Sequence, residues 1–366
     1  MRFVMFYQSL VSDWNHGNAH FLRGVATELL SRGHEVSVYE PRDSWCVRNL
    51  FETCGEASGL FHSAYPHLGS TRYDPGALDL DEALEGADVV IVHEWNDHEL
   101  VGRIGRHRAG RASYTLFFHD THHRSVTEPW NMASYDLSGY DGVLAFGEAV
   151  KDVYVDRASA RRLWTWHEAA DVRVFRPRPF RGKKGDLVWI GNWGDDERTA
   201  ELGEFLLGPV KNLGLKARAH GVRYPERALK LLGEAGIEYG GWLPNFEAPA
   251  VFASFMCTVH VPRRPYAEML PGIPTIRVFE ALSCGIPLVS APWEDSEGLF
   301  RPGKDFLVAR NGMEMARLLK ELLNDAGMRD ELARNGMETV LMRHTCANRV
   351  DELLAIYSEI NMTAGV

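Results

Sequence analysis

Cysteine is scarce in this chain of 366 residues: there are five, none in a C-x-x-C pair and none with histidines at zinc-finger spacing. That excludes a disulfide framework and a structural metal as organising devices, and the expectation is a reduced, cytoplasmic protein. Long apolar runs are missing too, since nothing approaches the roughly 20 residues that span a bilayer. The opening MRFVMFYQSLV lacks the apolar core and small-residue cleavage site of a signal segment and reads as a first strand. Positive charge is in deficit, with 40 Lys and Arg against 50 Asp and Glu, a formal net charge of -10. Such a surface argues against nucleic acid or an anionic membrane as partner, while a local basic cleft still admits a small anion. No G-x-G-x-x-G follows the first strand of either half, which counts against a nicotinamide-dependent oxidoreductase.

What is present is alternation. RFVMFY reads as a strand, SDWNHGN as a polar loop, AHFLRGVATELLSRG as a helix closed by Gly33, and HEVSVYE as a second strand. DEALEGADVVIVHEW, ASYTLFFHD and YDGVLAFGEAVKDVY each place an apolar strand before a polar turn. DVRVFRPRPFRGKKG, rich in Pro, Arg and Lys, reads as a connection between domains. The alternation then restarts in GDLVWIGNWGDD, GLKARAHGV, GIEYGGWLP, FMCTVHVPRR, PLVSAP and KDFLVAR. The length exceeds one ordinary core. The predicted fold class is therefore α/β, two Rossmann-like doubly wound domains with a cleft between the carboxyl ends of their parallel strands.

One stretch carries a question of its own. In PGIPTIRVFEALSCGIPLVSAPWED, helical spacing puts Ile276, Phe279 and Leu282 on one face, and PLVSAP is a short buried strand. A lone acid, Glu280, sits in that helix. It is either a solvated helix acid or a ligand-facing group near a helix start, where backbone N–H groups also draw anions.

These pieces together resemble the GT-B glycosyltransferases of the glycogen-synthase-like, largely retaining group. ELLSRGHEVSVYE resembles the first helix-to-strand junction, EAADVRVFRP the domain-joining segment, and RVFEALSCGIPLVSA the donor-binding helix, with KDFLVA in its place near the end. The R-V-F-E form is most similar to the spore-maturation type. The resemblance spans essentially the whole chain. It implies an acceptor-binding domain over residues 1–175, a nucleotide-sugar-binding domain over 176–347, and a helix over 348–366 that packs back on the first domain. It also implies transfer from a nucleoside-diphosphate sugar, UDP among them, to a small-molecule or glycan acceptor, with no cofactor and no obligate metal. Charge on a leaving diphosphate is met by Arg, Lys or helix N-termini in place of a cation. The D-x-D at Asp79 to Asp81 reads as helix capping, and Asp195-Asp196 as a turn.

Carried over position by position, the resemblance places Glu280 on the ribose hydroxyls, which suits an acceptor-only carboxylate. The family's first acid in E-x7-E falls on Gly272, a departure that bears on the sugar and the stereochemistry; Glu268, the nearest acid, reads as a loop charge. Thr275 and Arg277 flank the helix start and read as diphosphate donors. Gly191 and Asn192 allow close backbone approach after the first strand of the second domain, with Arg198 as the available cation and Arg263 and Arg264 as rivals. Trp242 either stacks on the base or caps the core. On the other side Gly17 opens the loop to the cleft, and Asp13, His16 and His20 offer acid-base or acceptor-binding groups, one of which an inverting route would need as its base. His119 is the expected contact to the donor sugar, with Asp120 and His122 beside it. The adjacent His122 and His123 are expected to point apart and to hold no metal. A catalytically silent nucleotide- or sugar-binding protein on the same fold is the alternative.

Overall fold

The computed structural model describes residues 1–55, 57–110, 114–157, 160–179, 182–194 and 196–364. Asp195, Phe180 and Arg181 of the connecting segment, and Ala112 and Ser113 at the head of ASYTLFFHD lie outside them. The chain divides into two compact units, Met1–Glu168 with Cys346–Val366, and Ala169–Thr345.

The first unit holds β1 (Arg2–Phe6), β2 (Glu35–Pro41), β3 (Ser70–Tyr73), β4 (Val89–His93), β5 (Thr115–Asp120), β6 (Gly142–Ala145) and β7 (Leu163–Thr165) in the order β3-β2-β1-β4-β5-β6-β7. The second holds β8 (Gly185–Ile190), β9 (Ala217–His220), β10 (Ile237–Tyr239), β11 (Phe255–His260), β12 (Leu288–Ser290) and β13 (Leu307–Val308) in the order β10-β9-β8-β11-β12-β13. All pairings within both sheets are parallel. Each order reverses once, between β1 and β4 and between β8 and β11, and such reversals are where open parallel sheets bind ligands.

The apolar runs explain the strands. β4 and β5 are buried at every position, as strands covered on both faces must be. β3 and β7, STRY and LWT, carry no such run and are not foreseen by the pattern. Three helices matter below: α1 (Ala19–Ser31), α2 (Ile276–Ser283) and α3 (Cys346–Ala364). α1 buries Phe21, Leu22, Val25 and Leu29 and ends where Gly33 takes a left-handed φ of 81°. α3 packs on α1, with Arg32 Nη1 donating to Asp351 at 2.6 Å and the indole of fully buried Trp166 donating to the Arg349 carbonyl at 2.8 Å. α2 feeds β12, which lies one strand from the sheet edge and not at its centre. Asp79 caps the short helix after it, accepting from the amides of Asp81 and Glu82 at 2.9 and 3.2 Å.

The unit boundary at 168/169 precedes the one at 175/176 that the resemblance implies, because the intervening segment is built into the second unit. Ala170 donates to the His344 carbonyl at 2.9 Å and bridges Thr345, and Phe175 is fully buried. No helix among the described residues is long and apolar enough to cross a membrane.

Candidate functional site

At the carboxyl end of the second sheet, the loop after β8, the loop after β11 and the start of α2 bring three arginines into one field. Glu280 is wholly buried and accepts from Arg277 Nη1 one turn earlier. A buried, paired carboxylate is not a solvated helix acid; that reading is excluded. Arg198 is also buried. It donates to the Val261 carbonyl at 2.9 Å and to the Asn192 carbonyl, with its Cζ 5.4 Å over the Trp189 ring. Burial first, then the charge of Arg263, draws its pKa down to about 9. Arg263 pairs with Glu197 at 3.4 Å and Arg264 with Glu201 at 3.0 Å. Arginines thus cluster here in a chain of net charge -10, with Arg263 and Arg277 paired to carboxylates.

His260 at the end of β11 is pushed down to about 3, by burial and then by Arg198 and Arg277, and so is a neutral ring. The Ser290 hydroxyl donates to the Ala291 carbonyl at 2.7 Å, so it accepts from His260 Nδ1 at 2.9 Å. That leaves Nε2 as an acceptor for the Thr275 hydroxyl at 3.1 Å. Thr275 therefore occupies the N-cap position of α2 without a side-chain cap bond, its proton engaged with His260 and not offered to an anion. This corrects its reading as a diphosphate donor. Of the first-turn amides, that of Val278 donates to the Thr275 carbonyl at 3.0 Å.

Two glycines explain close approaches. A Cβ on Gly191 would stand 2.8 Å from the Trp189 ring. Gly272 takes φ 85°, and a Cβ there would lie 2.5 Å from Glu297 Cγ and 2.7 Å from its Oε1. The space that a side chain at 272 would need is filled by a carboxylate arriving from the loop after β12. Asn192 accepts from the Val222 amide at 2.8 Å. Trp242 is half-buried in the loop after the edge strand β10, separated from β8 by β9. Glu268 ends a short helix, Arg264–Glu268, and is exposed.

The first sheet ends differently. Parallel register sets His93 at the end of β4 beside His119 on β5, with ring centroids 5.7 Å apart. Tyr7, just past β1, stacks on His93 at 4.7 Å, and its hydroxyl lies 2.6 Å from His119 Nδ1. Burial drives the Tyr7 pKa up and that of His119 down to about 3. A neutral phenol with no second acceptor among the described residues donates to Nδ1, which keeps the imidazole proton on Nε2. That atom has no partner among the described residues. His119 is thus a neutral N–H donor, packed by Trp166 and Phe21, suited to a hydroxyl oxygen.

The loop between β1 and α1 is not the solvated polar loop of the sequence reading. Asp13 pairs at 3.0 Å with the fully buried Arg23, whose Nε and Nη2 hold the Leu10 and Val11 carbonyls at 2.8 Å each. His16 is buried and pushed down to about 3 by burial and by Arg23, and His20 is wholly buried in α1. Asn15 takes the left-handed region in this loop, φ 50°, which Asn tolerates. Asp120 is also engaged: one carboxylate oxygen takes the hydroxyls of Ser125 and Tyr154, and burial raises its pKa. His122 is half-buried, and its ring lies 4.0 Å from that of His123 because the chain turns there; the expectation that they point apart fails. Among the described residues no group of three His, Cys, Asp or Glu is placed to hold a metal. Glu40 at the end of β2, where dinucleotide-binding sheets hold a ribose, is engaged by Ser9, Ser70, Arg72 and the Leu10 amide.

Comparison with known proteins agrees with this architecture. A glycosyl transferase-like family model matches residues 198–355. Sucrose-phosphate synthase from Thermosynechococcus elongatus superposes with a TM-score of 0.67 at 13% identity, covering 99% of this chain and 100% of that one. An α-glucosyltransferase solved with UDP and a 13-mer DNA gives 0.70 at 13%, covering 98% and 99%. Anabaena HepE solved with UDP-glucose gives 0.69 at 12%, covering 98% and 100%. The fold is GT-B. No match was found among curated protein sequences.

Within this GT-B chain, sequence reasoning missed Tyr7, His93, Glu94, Arg124, His260 and Glu297. The first, second and fifth stand at the carboxyl ends of strands beside a reversal of strand order, a rule that would have found them. Glu94 and Arg124 are buried partners at 2.9 Å, and the Glu94 pKa is driven up, by burial first and then by Asp120. Only the folded chain brings them together.

Proposed function

We propose that this protein is a glycosyltransferase that moves a sugar from a nucleoside-diphosphate sugar, UDP first among nucleotides, to a hydroxyl of a small-molecule or glycan acceptor, in the manner of the retaining, spore-maturation type. The observation that carries this is the cationic end of the second sheet: Arg198, Arg263 and Arg277 around the start of α2, with Glu280 buried against Arg277. Developing negative charge on a leaving diphosphate is stabilised by such preorganised donors, so the reading needs no metal. Glu280 takes the ribose diol, Gly191 and Asn192 lie along the diphosphate, and Trp242 flanks the base. His119 Nε2–H donates to a hydroxyl of the transferred sugar. Glu297 supplies at the sugar the carboxylate that Gly272 lacks. Retention is favoured because Asp13 is engaged by Arg23, and imidazoles with pKa near 3, at His16 and His119, are weak bases.

The absent acid at Gly272 also favours a silent binder of the same ligands, and one assay separates the two. A thermal-shift screen of nucleoside diphosphates identifies the donor nucleotide, since a ligand of the native state alone raises its stability. Slow hydrolysis of the matching nucleotide-sugar is then expected. Binding without any turnover would leave the silent binder, and no shift with any nucleotide would remove both readings.

A further inference from the structure

Trp166, Trp189 and Trp193 are at 2% exposure or less, whereas Trp130 is 89% exposed, Trp45 42% and Trp95 40%, and Trp45 packs edge-on against buried Trp14. A large apolar ring left almost wholly in water is unusual enough to need a reason. Neither Trp95 nor Trp130 sits on a loose segment. The Trp95 amide lies 3.4 Å from His93 Nδ1, and the indole is gripped by Arg124, whose Cζ is 4.5 Å over the ring. The same guanidinium donates to the Glu94 carboxylate at 2.9 Å and to Asn131 Oδ1 at 2.8 Å, so one group ties the neighbour of Trp95 to the neighbour of Trp130. His98 stacks on Tyr135 at 3.9 Å and bonds the Asn131 carbonyl at 3.0 Å, while the Tyr135 hydroxyl holds the Glu94 and Asn96 carbonyls. The Trp95 indole and the residue next to Trp130 are thus held by one polar network close to His93, and pre-ordered aromatic anchors lose little entropy on binding.

We propose that Trp95 and Trp130 are the stacking floor of the acceptor site and that the acceptor is a neutral carbohydrate; this rests on the glycosyl-transfer reading and names its acceptor class. Indole faces accept the apolar face of a sugar ring or of a nucleobase. Charge decides between them. The guanidinium beneath the platform is taken up by Glu94, Glu128 and Asn131, and the chain is acidic overall, which disfavours a phosphate backbone.

The test is binding of the full chain, with UDP present, to an array of immobilised neutral gluco-, galacto- and manno-oligosaccharides, and to single-stranded poly(dT). The wild type is expected to retain at least one neutral glycan. Trp130→Ala should lose about tenfold or more in affinity for it, the scale of an exposed aromatic anchor, while Trp130→Phe keeps most of it. UDP affinity should be the same in all three. Equal glycan binding by Trp130→Ala, absence of any neutral glycan ligand, or preference for poly(dT) would each overturn the proposal. Loss of UDP binding in the wild type would instead sink the donor assignment, a distinguishable result.

Discussion

The two sheets share a strand order up to one extra edge strand, yet their carboxyl ends carry opposite chemistry. The second gathers Arg198, Arg263 and Arg277 and neutralises the imidazole of His260 beside them. The first gathers Tyr7, His16, His93 and His119, all pushed toward their neutral forms by burial, and pairs its charged groups off to the side as Asp13 with Arg23 and Glu94 with Arg124. Open parallel sheets bind ligands at such ends, and under the proposed function the arginine-rich end would meet an anion and the neutral end uncharged hydroxyls.

The sharpest way to break that contrast is at His119. Replacing it by Ala should lower turnover by about 10²-fold or more while leaving nucleoside-diphosphate affinity unchanged, because a positioned donor to the sugar acts chiefly in the transition state. Equal losses in kcat and in nucleotide affinity would mean that the neutral end also handles the nucleotide.

Next in size is Glu280→Gln, expected to weaken nucleoside-diphosphate binding by about 1.5–3 kcal/mol, the scale of a charged hydrogen bond. The wild type should bind the 2′-deoxy nucleotide more weakly than the ribonucleotide, and the variant should bind the two alike. A ribo-to-deoxy ratio untouched by the substitution rules out the diol contact. Arg277→Ala is a poorer probe, since it strips a partner from a wholly buried carboxylate and destabilises the fold itself.

A smaller effect comes from acid. His16, His119 and His260 have native pKa values near 3 against about 6.5 when unfolded, so between those pH values the unfolded chain binds protons that the native chain refuses. Stability therefore rises with pH across that window and is lost as pH falls from about 6.5 toward 3. Tm measured from pH 7 to 4 should drop, and His119→Gln should drop less; parallel curves would contradict a buried neutral ring. The smallest effect is none: excess EDTA should leave nucleotide affinity unchanged, and restoration by magnesium of a lost affinity would show that the arginines do not suffice.

Much of the fold was legible because strands covered on both faces need unbroken apolar runs, as in VVIVH and TLFFH, and because Gly33 closes a helix in the only backbone region that ends it there cheaply. β3 and β7 were not, since STRY and LWT owe their strand state to a neighbour's edge. The position of Glu280 on α2 was readable; its pairing with Arg277 was not resolved from spacing alone, although three residues apart on a helix permits it. Asp13 misled because its partner, Arg23, lies ten residues on and is brought round only by α1. Glu297 was invisible, for only the folded backbone shows it filling the place that Gly272 vacates.

The bridge between Ala170 and Thr345 has one further consequence. The second unit enters and leaves the first through two adjacent strands of chain, and on the other side of the junction the Glu168 carbonyl lies 3.5 Å from Arg349 Nε. In genetic terms the second unit is an insertion whose ends already touch. It is removable without leaving a gap to span: a gene fragment for 169–345 needs no tether across its termini, and joining 168 to 346 asks only for a short splice.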